Sequence, residues 1–174
     1  FQYENGARQI EKKQLMDILE SKHEFDLPKG MLDQELHDIM HRLEHAKKEN
    51  KLDKDDKNLS DDELKERYKK ISERRVKLAI LLQYIAKDAN ISINEKELSD
   101  GMLNYASQYP GQEKNILEYF KKNPSSVETI RGPILEQKVI DNIMSKTDVN
   151  NIKLSVNEYQ KLEKKTFNIT NKGN

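Results

Sequence analysis

The chain has no cysteine. That excludes a disulfide framework, a thiolate metal site and a cysteine nucleophile, and it makes the cytoplasm the default compartment. No apolar run approaches the length of a membrane span, and no signal peptide is visible. No glycine-rich phosphate loop and no Gly-x-Ser-x-Gly elbow occurs, so nucleotide hydrolysis and serine-esterase chemistry have no carrier. Glycine and proline are scarce, six and four in 174 residues, so little disorder is expected between the helical segments. An excess of either charge is missing too: 31 basic residues balance 31 acidic ones. A dedicated nucleic-acid binder is usually basic, so that class is disfavoured. Apolar residues are themselves few, 34% against 36% charged, and the core must be thin.

What is present is helical periodicity. The richest stretch runs from Ser72 to Asn90. Leu64, Tyr68, Ile71, Leu78, Leu82 and Ile85 recur at spacings of three, four or seven, which is a helical stripe. Val76, Ala79, Ile80, Leu81, Tyr84 and Ala86 fill the other faces, as in a helix surrounded by other helices. Ser60-Asp-Asp-Glu63 is a capping-box pattern at its start, and Asn90 marks its end. Such a helix is roughly 45 Å long at 1.5 Å per residue. A compact domain of this length is only about 40 Å across. An elongated molecule, one domain with projections, is therefore expected.

The other segments follow in order. A first helix covers residues 1–24, with Ile10, Leu15, Ile18 and Leu19 on its apolar face. Phe25-Asp-Leu-Pro28 breaks it, with Asp26 as the expected cap of helix two. Helix two runs to about Asn50 along Leu32, Leu36, Ile39, Leu43 and Ala46. The charged loop 51–58 should turn the chain into an antiparallel hairpin with the long helix. It lacks the glycine and ligand spacing of a calcium loop. Asn94 caps a fourth helix to about Gln108, and Tyr109-Pro-Gly111 is a turn. A short fifth helix covers 112–122. Asn123-Pro124 opens a sixth that reaches Lys146, with a kink expected at Gly132-Pro133. Ser155 caps a last helix, 156–163, and a frayed polar tail follows. No stretch reads as a strand, so the fold class is all-α. The chain begins at Phe1 rather than methionine and enters directly into helical periodicity, as expected of a piece of a longer protein.

Three candidate chemistries can be weighed. His37, His41 and His45 stand four residues apart, and an i, i+4 histidine pair can clamp zinc. No acidic residue completes the protease pattern, so the plainer reading is solvent-facing side chains and no metal. Asp55-Asp56 and Asp61-Asp62 are paired carboxylates in loop and first-turn positions, where acids favour a helix dipole. Nothing marks an enclosed site that shifts one pKa, so no catalytic residue is assigned. Met102, Tyr105, Tyr109, Ile116, Tyr119 and Phe120 surround one helical hairpin. Ordinary core packing competes with a binding role at each. Two short helices cannot bury all six, and the remainder should form an apolar binding surface. Adaptable methionine and amphipathic tyrosine suit a surface that accepts many partners.

At this point the chain resembles the C-terminal domain of the trigger factor family of bacterial ribosome-associated chaperones. The resemblance rests on Phe25-Asp-Leu-Pro28, Glu73-Arg-Arg-Val-Lys-Leu-Ala-Ile-Leu-Leu82 and Tyr109-Pro-Gly-Gln-Glu113. Glu118-Tyr-Phe-Lys-Lys-Asn-Pro124 and Arg131-Gly-Pro-Ile-Leu-Glu-Gln-Lys-Val139 complete it. The five occur in the family's order across residues 7–163; the charged loop 53–58 and the tail depart from it. The resemblance implies an elongated helical body with two projecting arms forming a cradle. Residues 28–90 would be the first arm, 91–146 the second and 165–174 a disordered tail. It implies an ATP-independent holdase that binds unfolded or nascent polypeptides, with no cofactor, nucleic acid or membrane. Tyr105, Tyr109 and Ile116 fall on positions matching the family's client-contacting surface. Met40, Leu43, Tyr68 and Ile71 are further candidate client contacts. The ribosome-docking and prolyl-isomerase domains of whole family members are not in this sequence, so neither activity is expected of it. Self-association is a further expectation, and an adaptor for one defined partner is the alternative reading.

Overall fold

Several helices of this protein begin or end at a local hydrogen-bonding device. The computed structural model describes residues 2–150 and 152–168. It contains α1 (Gln2–Lys22), α2 (Lys29–Lys48), α3 (Asp61–Asp88), α4 (Glu95–Ala106), α5 (Glu113–Lys122), α6 (Glu128–Ser145) and α7 (Val156–Asn168). A single 3-10 turn, Pro124–Val127, precedes α6. No strand occurs among the described residues, so the all-α expectation holds. None of these helices is long and apolar enough to cross a membrane.

Three helix starts share one capping box. Ser60 Oγ accepts from the Glu63 amide at 3.3 Å while the Glu63 carboxylate accepts from the Ser60 amide at 2.8 Å. Asn94 with Glu97 and Ser155 with Glu158 repeat the arrangement. Each box satisfies two amides that the first helical turn would leave bare. Bonds from the Ser60 hydroxyl and amide hold the Glu63 carboxyl below its ordinary range. Asparagine closes α2 and α3: Asn50 and Asn90 have φ of 55° and 54°. The Lys51 amide reaches back to the Ala46 carbonyl, and the Ile91 amide to that of Ala86, both at 2.8 Å. This left-handed closure uses carbonyls that would otherwise lack partners.

The chain packs as two units, one formed by the residues up to Leu81 with those after Asn150, the other by Leu82–Asn150. In the first, Ile10, Met16 and Leu19 of α1, Ile39 of α2, and Leu64, Val76 and Leu81 of α3 are buried. Ion pairs link Lys47 to Asp61 at 2.6 Å and Glu35 to Arg75 at 2.8 Å. Late α2 thus meets early α3 and early α2 meets later α3, so the two run antiparallel as the connection predicted. Arg74 of α3 reaches Asp17 at 2.5 Å and also pairs with Glu20, tying α3 to α1. Partial burial pushes the Asp17 carboxyl up, but bonds from Lys13 and Arg74 outweigh it and hold the group below its ordinary value. Helix α7 lies along α1, with Tyr3 and Tyr159 edge to face at 5.3 Å. Gly6 belongs to this contact, since a Cβ there would collide with the Tyr159 hydroxyl.

In the second unit α4 packs against both α5 and α6. Leu82, Ala86, Ala106, Phe120, Ile130, Val139 and Ile140 are its buried apolar residues. Gly101 allows close approach: a Cβ there would lie 2.8 Å from Ile130 Cγ2 and from Ile134 Cδ1. Lys138 of α6 donates to the Ser92 carbonyl and to Glu97, both at 2.6 Å, fastening α6 to the start of α4.

Several expectations need correction. Asp26 does not cap α2; the N-cap is Pro28, whose carbonyl accepts from the Met31 and Leu32 amides. Ile18 is 49% exposed, and Met16 takes its place in the core. The two are about 200° apart around the helix, so both cannot face inward. Helix α3 is not enclosed on every side, because Tyr84 is 69% exposed. The sixth helix starts later than Asn123-Pro124 implied, after the 3-10 turn, and holds Pro133 inside it as expected. Asn123 makes no cap bond and instead donates to the Tyr119 carbonyl. Helix α7 extends five residues past Glu163 into the expected tail, to Asn168, while 169–174 lies outside the described residues.

The largest correction concerns the charged loop. Asp56 is not a solvated carboxylate but is 2% exposed. Its Oδ2 accepts from the Tyr68 hydroxyl at 2.6 Å, and Arg67 pairs with Oδ1 at 3.0 Å. A buried carboxylate persists only when it is paired, and α3 supplies both partners one residue apart. Burial raises the Tyr68 pKa to about 12, reinforced by the hydrogen bond to Asp56 and its charge.

Three substitutions test this packing. Tyr68→Phe removes a hydrogen bond to a charged group and should cost about 1.5–3 kcal/mol near neutral pH by urea titration. Because the folded pKa is raised, the Tyr68 contribution is complete below 10 and fades as pH climbs towards 12. The phenylalanine variant should lack that part of the alkaline loss. Gly101→Val overpacks the α4–α6 contact and should cost about 1–3 kcal/mol. Gly30→Ala, with nothing within 4 Å, should instead stabilise the chain by up to about 1 kcal/mol.

Candidate functional site

The turn after α4 creates a hollow in the second unit. Tyr109-Pro-Gly111 reverses the chain: the Gln112 amide donates to the Tyr109 carbonyl at 3.0 Å and Gly111 has φ of 82°. That is a type II turn, in which the third position favours glycine because it needs positive φ. It folds α5 back against α4. The space between them, closed on a further side by the turn before α6, is an open hollow of about 510 Å³. Tyr105, Tyr109, Ile116, Tyr119 and Phe120 line it, with Gln112, Asn115, Ser126 and Thr129.

Phe120 is the fixed part of this wall, only 5% exposed. Tyr105 and Tyr119 meet its ring edge to face, with centroids 5.6 and 6.1 Å away. Edge-to-face contact is the arrangement that an aromatic quadrupole favours. Tyr109 lies against Tyr105 at 5.5 Å, and their hydroxyls are 3.5 Å apart. That bond, helped by the neighbouring phenol, raises the Tyr105 pKa, so its phenol stays neutral at physiological pH. Ser126 Oγ donates to the Tyr119 hydroxyl at 3.2 Å. Tyr105, Tyr109 and Tyr119 keep between 37% and 54% of their surface in water.

No charged residue is among the described residues that line the hollow, in a chain of which 36% is charged. Its wall offers aromatic faces, one aliphatic side chain, two amides and several hydroxyls. Such a wall can cover an apolar side chain and hydrogen-bond a peptide group, without preference for either sign of charge.

Five of the six aromatic and apolar residues singled out on this hairpin are thus brought together. Met102 is half-buried on α4 and does not line the hollow. Met40 and Leu43 of α2 and Tyr68 and Ile71 of α3 belong to the first unit and are half-buried. The Tyr68 hydroxyl is already held by Asp56. Sequence reasoning missed the four polar lining residues. Gln112 and Asn115 share the i, i+3, i+4, i+7 stripe with Ile116 and Tyr119, and that spacing could have shown them. Ser126 and Thr129 arrive from the 3-10 turn and α6, with no signal along the chain. His37, His41 and His45 are exposed on α2 and are not among the residues that line the hollow.

Comparison with known proteins bears on this arrangement. Residues 2–145 match the family described as "Bacterial trigger factor protein (TF) C-terminus". The trigger factor of Maricaulis maris (strain MCS10) is 40% identical over 149 residues, covering 86% of this chain and 29% of that protein. That of Gluconobacter oxydans (strain 621H) is 39% identical over 157 residues, 90% of this chain and 35% of its own length. A third, from Gluconacetobacter diazotrophicus, is 40% identical over 143 residues, 82% of this chain and 32% of its own. The chain spans about a third of the length of the curated relatives it matches. No solved structure matches it.

The hollow should respond differently to changes in its fixed and exposed parts. Phe120→Ala removes a buried ring and should cost about 3–5 kcal/mol. Tyr119→Ser, at a ring more than half exposed, should cost about 1 kcal/mol or less. Thermal melts of the two variants against the parent chain check this.

Proposed function

The chain belongs to the family of bacterial trigger factor C-termini, and we propose on that footing that it is an ATP-independent holdase for unfolded or nascent polypeptides. The observation that carries the reading is the uncharged, half-exposed aromatic wall between α4 and α5. Clients of a holdase share little beyond exposed apolar side chains and unpaired peptide groups. The wall has a partner for each, and no fuel is needed.

Magnitudes fit weak, reversible capture. Fully covering one tyrosine or isoleucine is worth roughly 1.5–3 kcal/mol. These rings are already part covered, so each gains less. Ordering the client offsets about 0.5–1.5 kcal/mol for each side chain it immobilises. One hollow alone therefore binds weakly. Met40, Leu43, Tyr68 and Ile71 add a second set of contacts in our reading, and linked weak sites strengthen one another through effective concentration. Holding the unfolded client lowers its free concentration and slows aggregation. Contact with the ribosome is assigned to the other domains of whole trigger factors.

Light scattering by a denatured client tests the proposal. The chain in excess should suppress aggregation. Replacing Tyr105, Tyr109 and Ile116 together with serine should remove most of the suppression while helical circular dichroism is retained. A panel of unrelated unfolded peptides separates the holdase from an adaptor. Broad micromolar binding supports the proposal; one tight, saturable partner and no response to the others would replace it.

A further inference from the structure

The wall between α4 and α5 narrows what part of a client can lie on it. No strand occurs among the described residues, so no sheet edge is offered for strand addition. Ile116 is the one aliphatic side chain among the described lining residues, too little to seat the apolar face of an amphipathic helix. No charged side chain is among them, so phosphate, carboxylate and ammonium groups find no counter-ion. Of the recurring ways of holding a peptide, aromatic faces set among hydrogen-bond donors remain, and these suit a polyproline II segment.

The hydrogen bonds within the wall decide which protons it can offer. Ser126 Oγ donates to the Tyr119 hydroxyl at 3.2 Å, so the Tyr119 proton is turned away from Ser126 and is free for a ligand. Thr129 Oγ1 spends its proton on the Ser126 carbonyl at 2.6 Å. One of Tyr105 and Tyr109 donates to the other across 3.5 Å, which leaves the second phenolic proton to offer. Gln112 and Asn115 add side-chain amides. A polyproline II segment has no internal hydrogen bonds, so its carbonyls need donors. Each proline lacks an N–H and asks for no acceptor in return.

Entropy points the same way. Rings already part covered gain little from a ligand, so a ligand that loses little on ordering is favoured. Proline gives up no side-chain rotamer freedom, and its φ is already fixed at about −65°. Tyr105 and Tyr119 are braced edge-on against the buried Phe120 and stay part exposed, so a pyrrolidine ring has aromatic surface to lie on. We propose that the hollow takes proline-containing client segments in the polyproline II conformation. This rests on the holdase reading and names the part of a client that this wall holds. At about 510 Å³ the hollow accommodates a few residues of such a chain, within the roughly 300–1,000 Å³ of small-ligand sites.

Fluorescence anisotropy of short labelled peptides, equal in length and uncharged, tests the proposal on the chain. One peptide carries proline at every third position, to match one turn of the polyproline II helix. In two others valine or alanine replaces each proline. Valine keeps the apolar surface but prefers the strand. The proline peptide should bind at least about threefold more tightly than either. Tyr119→Ser and Tyr109→Ser, each at an exposed ring, should bring that ratio close to unity. Tyr84→Ser, at an exposed tyrosine outside the hollow's described lining, should leave it unchanged. Circular dichroism checks that the variants keep their helices. Equal or tighter binding of the valine peptide overturns the proposal, as does a proline preference that survives both hollow variants. Client aggregation followed in the same preparation tells which reading has failed. Suppression without proline preference overturns this one alone, whereas neither suppression nor peptide binding removes the holdase as well.

Discussion

Thirty-four per cent apolar residues set against 36% charged ones leave the helices short of surface with which to cover one another. Several of their limits are set instead by hydrogen bonds at their ends. Ser60, Asn94 and Ser155 each pair with a glutamate three residues on, and Asn50 and Asn90 turn left-handed to close two others. These devices act within a few residues and work whatever the helix later packs against. The limited burial that remains is concentrated where elements meet closely. Gly101 under Ile130 and Ile134, and Gly6 beneath Tyr159, mark two such places.

The charged loop before α3 shows the same economy of apolar groups in another form. An apolar anchor is replaced there by a buried carboxylate, Asp56, gripped by Tyr68 and Arg67. Such an anchor is specific, because it fails if either partner is lost. It is also costly, since the carboxylate must be taken out of water. Its geometry gives the Tyr68 hydroxyl a structural task.

The hollow in the second unit depends on one turn and one ring. Gly111 reverses the chain so that α5 lies back on α4, and Phe120 gives the tyrosines a surface to stand against. Aromatic groups can remain half in water there because their faces are covered by one another and their hydroxyls are solvated or hydrogen-bonded. Polar lining residues then keep the wall neutral without making it greasy. That combination is what the proposed holdase reading rests on.

Reading the residues in order determined the all-α class, the helix starts at Ser60, Asn94 and Ser155, the closure at Asn90 and the turn at Gly111. Each is decided by neighbours within about four positions, so the information lies along the chain. The same reading picked out Tyr105, Tyr109, Ile116, Tyr119 and Phe120, because apolar residues crowded onto two short helices cannot all be hidden. It failed at Ile18 and Met16, at Asp56, and at Ser126 and Thr129. Which face of α1 turns inward, which of several aspartates meets an arginine and a phenol, and which hydroxyls complete the hollow all depend on residues far away in sequence. Those choices belong to packing between elements, and only the tertiary structure makes them.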